Sequence, residues 1–305
     1  MYFAIDPHSP DLPVELAAEL DRAVDTLRAE RPNHPFHVFA LVDGAFDETI
    51  FASRKWAARS LYEGGPLHAL GKAAPHLLAA PSARGHLPWL KTVFAACNGM
   101  PMLSIITSAL PLDDLLGHLR PYLIARTTDG MEWPVRWGDT RVLPTLLTAL
   151  DEAQRTSLLS PLHAWYCVQR DGSLISWPGA TIPQQDPAGF DKLPLSDEAF
   201  AQLVAEAEAD AVLADIYDTQ PDLLQQRSGA ACHGCVAQHL DLAGKHGIRA
   251  AGARQHFSAL ALNLREGFAE HPAMAALLQR TRQGADYLQE IATLPDSFWD
   301  EMASS

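Results

Sequence analysis

A chain of 305 residues is long enough for two modest domains, and 48% hydrophobic residues with 8% aromatics mark it as globular rather than disordered. Its formal charge of −14 is uneven: residues 1–178 carry 15 basic and 19 acidic side chains, residues 179–305 carry 8 and 18. That balance excludes the basic patch that nucleic acid or an anionic membrane surface needs, and no run of about 18 apolar residues offers a membrane span.

Residues 11–29 predict an amphipathic helix, with Leu16, Leu20, Ala23, Val24 and Leu27 at helical spacing and Glu19, Asp21, Arg22 and Asp25 facing away. Pro32 and Pro35 end it. Residues 36–42 are a short apolar run between proline and Asp43-Gly44, which favours a buried strand. Residues 46–59 are expected to be helical, as is a short piece at residues 67–72 after the turn cluster Tyr62-Glu63-Gly64-Gly65-Pro66. A strand at residues 76–80, a helix over Leu87–Cys97 and a strand over Leu103–Ser108 follow. Leu112, Leu115, Leu116 and Leu119 then form one helical stripe that turns at Pro121. Beyond it, two hairpins are expected. The first pairs residues 122–125 with 132–137 around Asp129-Gly130; the second pairs residues 164–169 with 173–177 around Asp171-Gly172. Between them lie helices at residues 142–150 and from Asp151.

Residues 178–194 hold four prolines and two glycines without periodicity and read as a linker or long surface connection. The rest is helical. Ser196 is a good N-cap with Leu195 and Phe200 as its hydrophobic staple, and apolar stripes run through residues 253–268 and 272–292. The fold class expected is α+β: an N-terminal α/β lobe with a small mixed sheet and hairpins (residues 1–178), a linker (179–195) and an all-helical C-terminal lobe (196–305).

Chemistry-bearing motifs are sparse. Cys232-His233-Gly234-Cys235, with His239 and His246 beyond, has a zinc-knuckle look, but no second Cys-x-x-Cys exists, and two small half-buried residues at a helix start is the plainer reading. Cys97 and Cys167 lie in apolar runs that suggest core. There is no Gly-x-Ser-x-Gly elbow, P-loop or Gly-x-Gly-x-x-Gly turn, so no catalytic residue, metal ligand or cofactor is assigned. With four cysteines and no recognisable signal peptide, a reducing cytoplasm is the expected setting.

Arg120, Arg136, Asp139 and Arg141 stand where predicted strands end or face out. Arginine forks on a carboxylate serve either as a structural clasp, here helix end to strand end, or as a partner contact. Trp133 and Trp137, four apart in a strand-like run, are expected on one face opposite Arg136. Tyr62, Phe298 and Trp299 are candidate partner anchors.

Several short motifs occur in a telling order: Phe39-Ala-Leu-Val-Asp43-Gly-Ala, Leu61-Tyr62-Glu63-Gly64, Ala74-Pro75-His76-Leu77-Leu78, His118-Leu119-Arg120, Asp129-Gly130, Val135-Arg136-Trp137-Gly138-Asp139-Thr140-Arg141-Val142-Leu143, and Ser160-Pro161-Leu162 with Trp165. Over residues 37–166 this succession resembles the family known as domain of unknown function 4123. Trp137-Gly138, Thr140 and His76 depart from its pattern. Several members act as adaptors, or chaperones, that load a toxic effector onto the VgrG-type spike of bacterial type VI secretion systems. The resemblance implies a non-enzymatic cytoplasmic adaptor whose partners are an effector toxin and a VgrG-type spike. A metal-assisted hydrolase around Cys232, Cys235, His239 and His246, or an immunity-type protein that neutralises a toxin, are the alternatives.

Overall fold

The computed structural model describes residues 2–51, 58–82, 84–180 and 188–303. The chain divides into two compact units, Ile5–Val204 and Met1–Ala4 with Ala205–Ser305.

The larger unit opens with α1 (Leu12–Glu30), which carries Pro13 in its first turn and buries Leu16, Leu20 and Val24. Then come β1 (His37–Asp43), β2 (Ala58–Ser60), β3 (Pro75–Ala79), α2 (Leu87–Cys97), β4 (Leu103–Ser108) and α3 (Leu112–Leu119). The expected hairpins follow: β5 (Ile124–Arg126) with β6 (Glu132–Pro134), and, after α4 (Leu143–Ala149) and α5 (Glu152–Leu159), β7 (Leu162–Val168) with β8 (Leu174–Pro178). A short β9 (Leu193–Pro194) is last.

The main sheet has six strands in the order β2-β3-β1-β4-β7-β8, each neighbouring pair antiparallel. The expected small mixed sheet is β6-β5-β9, antiparallel on one side of β5 and parallel on the other. Strand β1 lies inside the main sheet with its last six positions buried, so both faces must be apolar. The period of two sorts its side chains: Phe39 and Leu41 join one core cluster, Val38, Ala40 and Val42 the other. Leu16 and Leu20 of α1 and Leu90 and Phe94 of α2 complete the second cluster. Residues of α3, α4, α5 and the small sheet complete the first.

Three local expectations change. Within residues 46–59 the expected helix is not seen in the described part: Glu48–Phe51 is a 3-10 turn and Ala58–Ser60 a strand, residues 52–57 lying outside the described residues. Here Asp47 accepts hydrogen bonds from the Thr49 backbone N–H (2.9 Å) and hydroxyl (2.6 Å), a side-chain turn that competes with helix. The 67–72 piece is also 3-10, over His68–Ala73, and is kinked at Gly71, where φ is +44°. Strand β6 stops at Pro134 rather than running to Trp137, so the two tryptophans part: Trp133 is 44% exposed and Trp137 is buried. Of the proline-rich connection, residues 181–187 lie outside the described residues; its end is β9, whose Leu193 is buried.

Helix α6 (Asp197–Thr219) starts where the Ser196 hydroxyl accepts the Ala199 N–H at 3.2 Å, as an N-cap should. It belongs to the larger unit as far as Val204 and to the smaller from Ala205. The smaller unit continues with α7 (Gly229–Lys245), α8 (Ala251–Asn263), α9 (Pro272–Arg282), α10 (Tyr287–Ile291) and α11 (Asp296–Met302). The stripe of residues 272–292 is two helices, not one. Gly284 turns the chain at φ +107°, and Asp286 restarts it by accepting the Gln289 N–H at 2.9 Å.

Candidate functional site

The central feature is built where β1 ends. Asp43 closes that strand with its backbone N–H donating to Met102 O at 3.0 Å, and its carboxylate is 1% exposed. Oδ1 accepts the Ala45 N–H at 2.9 Å, turning the chain; Oδ2 accepts Arg136 Nη2, also at 2.9 Å. The same guanidinium places Nη1 3.3 Å from Asp139 Oδ2. Asp139, equally buried, accepts three bonds from Arg141: the backbone N–H and Nε on Oδ1, both at 3.1 Å, and Nη2 on Oδ2 at 2.9 Å. Its backbone carbonyl accepts the N–H groups of Val142 and Leu143, opening α4. Two buried acids and two arginines thus form a charge-balanced chain, Asp43–Arg136–Asp139–Arg141. Phe46 covers it, with the guanidinium carbons of Arg136 and Arg141 4.7 and 5.2 Å from its ring centroid.

Burial pushes the Asp43 carboxyl above its ordinary range, and Arg136 offsets this only in part. Tyr62 lies close enough to feel both charges; burial first, then Asp43, push its phenol up to about 12. His76 is held below its usual value by burial, with Asp43 pulling the other way. Gly138 lets the clasp close. A Cβ there would stand 2.7 Å from Asp43 Cβ and 3.1 Å from its Cα, closer than side chains approach. Trp137 anchors the segment from beneath, donating from Nε1 to Tyr122 O at 2.7 Å.

The structure therefore joins three of the four charges expected to work together and adds a fourth, Asp43. In the sequence Asp43 marks only a turn with Gly44; the signal for a further role is a carboxylate at the end of a buried apolar run. Arg120 is not in the clasp. It is exposed and donates a long 3.4 Å bond to the Glu63 carbonyl. It shares the lining of a cavity of about 180 Å³ with Tyr62, another candidate residue. The clasp also runs from strand end to turn, not from helix end to strand end.

Of the aromatic anchors, Phe298 is fully buried in the core of the smaller unit, against His271 and Trp299, and presents nothing to a partner. Trp299 is half-buried beside it. Tyr62 is buried and lines the cavity it shares with Arg120.

On α7, Cys232 is buried with its thiol toward Leu224 O, and Cys235 is half-buried with its thiol toward Ala261 O at 3.5 Å. His239 Nδ1 lies 3.9 Å from the Cys235 sulfur but binds the Cys235 carbonyl at 2.8 Å. His246 turns to Leu278 O. Among the described residues no group of three or more His, Cys, Asp or Glu side chains is placed to hold a metal ion.

Fold and clasp together define an α+β domain on a six-stranded antiparallel sheet, latched by two buried aspartates paired with arginines. Residues 38–157, less than half of the chain, match the family model described as "Domain of unknown function (DUF4123)". All four clasp residues lie inside the match. No significant match was found among curated proteins or among solved structures.

Proposed function

We propose that this protein is a non-enzymatic adaptor, or chaperone, that binds a toxic effector in the cytoplasm and loads it onto a VgrG-type spike of a bacterial type VI secretion system. The observation that carries the reading is the family match over residues 38–157, within which the clasp falls, taken with the loading role of several members of the family that the motifs resemble. Other features agree with it. The chain forms two separately packed units, which suits a protein that must hold two partners. Among the described residues no helix is long and apolar enough to cross a membrane. Both clasp carboxylates are sealed and bonded to arginine or backbone donors, an arrangement suited to holding a surface in shape.

The test is to co-express the protein with the toxin and spike encoded beside its gene. Loading predicts a complex containing both, and loss of toxin secretion when the adaptor is deleted. Failure to bind either neighbour refutes it. Rescue of toxin-poisoned cells with secretion unchanged would instead assign an immunity role.

A further inference from the structure

The cavity that Arg120 and Tyr62 share is a built recess. Leu61, Tyr62, Leu123 and Ile124, all buried, form its apolar wall, and Pro66 and Leu67 lie at its edge. At about 180 Å³ it is the size of one large apolar side chain, since an engineered cavity of about 150 Å³ takes up benzene.

The lining carries three charged residues, Arg120, Lys192 and Asp191. Glu63, whose carbonyl Arg120 contacts, and Asp113 are already engaged: Arg59 holds both carboxylates, each at 3.0 Å. Lys192, also on the lining, is spent on Glu132 at 2.6 and 2.7 Å. Among the described residues Arg120 has no carboxylate within ion-pair distance, and its one bond is the long contact to Glu63 O. Asp191 stands on the same lining, 4.0 Å from Arg126, and repels a second acid on its side. An arginine beside a desolvated apolar recess is the composition of an interface hot spot.

We propose that this recess is a docking point for an extended segment of the effector that inserts one leucine- or phenylalanine-sized side chain and pairs an adjacent carboxylate with Arg120. The identity of the partner rests on the adaptor reading; the chemistry of the recess does not. Arg120 supplies the charge recognition, and Asp191 sets the direction of the segment by excluding the reversed arrangement.

The test uses the full chain with labelled Leu and Ile methyl groups and two synthetic probes, acetyl-Gly-Leu-Asp-Gly-amide and acetyl-Gly-Leu-Lys-Gly-amide. One side chain and one ion pair predict a dissociation constant in the low millimolar range, roughly where weak contacts of this size fall. The aspartate probe should shift the methyl signals of Leu61, Leu67, Leu123 and Ile124 saturably. The lysine probe, and the aspartate probe on Arg120→Gln, should bind at least about fivefold more weakly, and Leu67→Trp, which fills the recess, should abolish the shifts. Absence of shifts with the aspartate probe overturns the proposal, as does equal response to both probes or indifference to Arg120→Gln. Neither toxin nor spike takes part, so this result and the co-expression result fail independently.

Discussion

Asp139→Ala tests the clasp most directly. The substitution strips Arg141 of two side-chain bonds and one backbone bond to a carboxylate, and takes from Arg136 one of its two acids. Removing one partner of a buried pair costs roughly 3–5 kcal/mol, much of it the uncompensated charge left behind. The two arginines do not contribute equally. Arg136 is 39% exposed and keeps Asp43, so water screens most of its loss; Arg141, at 16% exposed, is screened less. The lower end, about 3 kcal/mol, is therefore expected. For a unit of some 200 residues that corresponds to a fall in melting temperature of roughly 6–12 °C. Thermal and urea unfolding of the full chain measure it, with Arg120→Ala as a control expected to stay within about 1 °C. Arg141→Ala and the double variant complete a cycle: because the two residues bond each other, the double loss should fall short of the summed single losses by about 1–3 kcal/mol. A shift below about 2 °C for Asp139→Ala, or strict additivity, refutes the clasp as a stabilising device. In that case selective loss of one partner with the fold intact would make Asp139 a contact residue.

Gly138→Ala should destabilise by about 1–3 kcal/mol although it adds one methyl group, because that carbon meets the Asp43 backbone; a melt within 1 °C of wild type would show that the turn yields. Native protein should expose a single thiol to iodoacetamide, that of Cys235, and four after denaturation. Cys97, Cys167 and Cys232 are buried, so mass spectrometry finding two native adducts contradicts the packing. Burial holds His118 and His163 below their ordinary value, so the fold favours their neutral forms. Their contribution to stability is complete above about pH 6.5 and is lost as pH falls below it, so urea midpoints should drop between pH 7.5 and 5.5. His118→Gln, which can keep a donor near Leu158 O, should flatten that slope; an unchanged slope removes His118 from the account. Asp43, held above its usual value, acts in the opposite sense: its contribution is present at acid pH and lost as pH rises.

Local patterns were legible and long-range charge was not. The apolar run before Asp43-Gly44 announced β1 as a buried strand, and in the structure the period of two sorts its side chains between two core clusters. Both hairpins were readable from Asp-Gly turns, which the structure keeps at Gly130 and Gly172 with positive φ. The second strand of the first hairpin ends at Pro134, short of the expected Trp137, because proline cannot donate to a ladder. Gly284 breaks the stripe of residues 272–292 because apolar periodicity says nothing of φ. The clasp shows where such reading stops. Asp139 and Arg141 are two apart and visibly paired, but Asp43 meets Arg136 across 93 residues, a distance that no spacing rule bridges. Arg120 lies in the same stretch as Arg136 and Arg141, and only the course of the backbone sends it to another surface.

That separation has a kinetic consequence. Strand β1 finds β3 within some 40 residues, but the Asp43–Arg136 bond closes a loop of 93 and demands that β4 and the first hairpin already be in place. The entropy of closing long loops and the ordering of non-local contacts place the latch late in folding. During synthesis Asp43 must wait, unpaired, until Arg136 has left the ribosome. Loss of the latch should therefore show chiefly as faster unfolding, with little change in the folding rate.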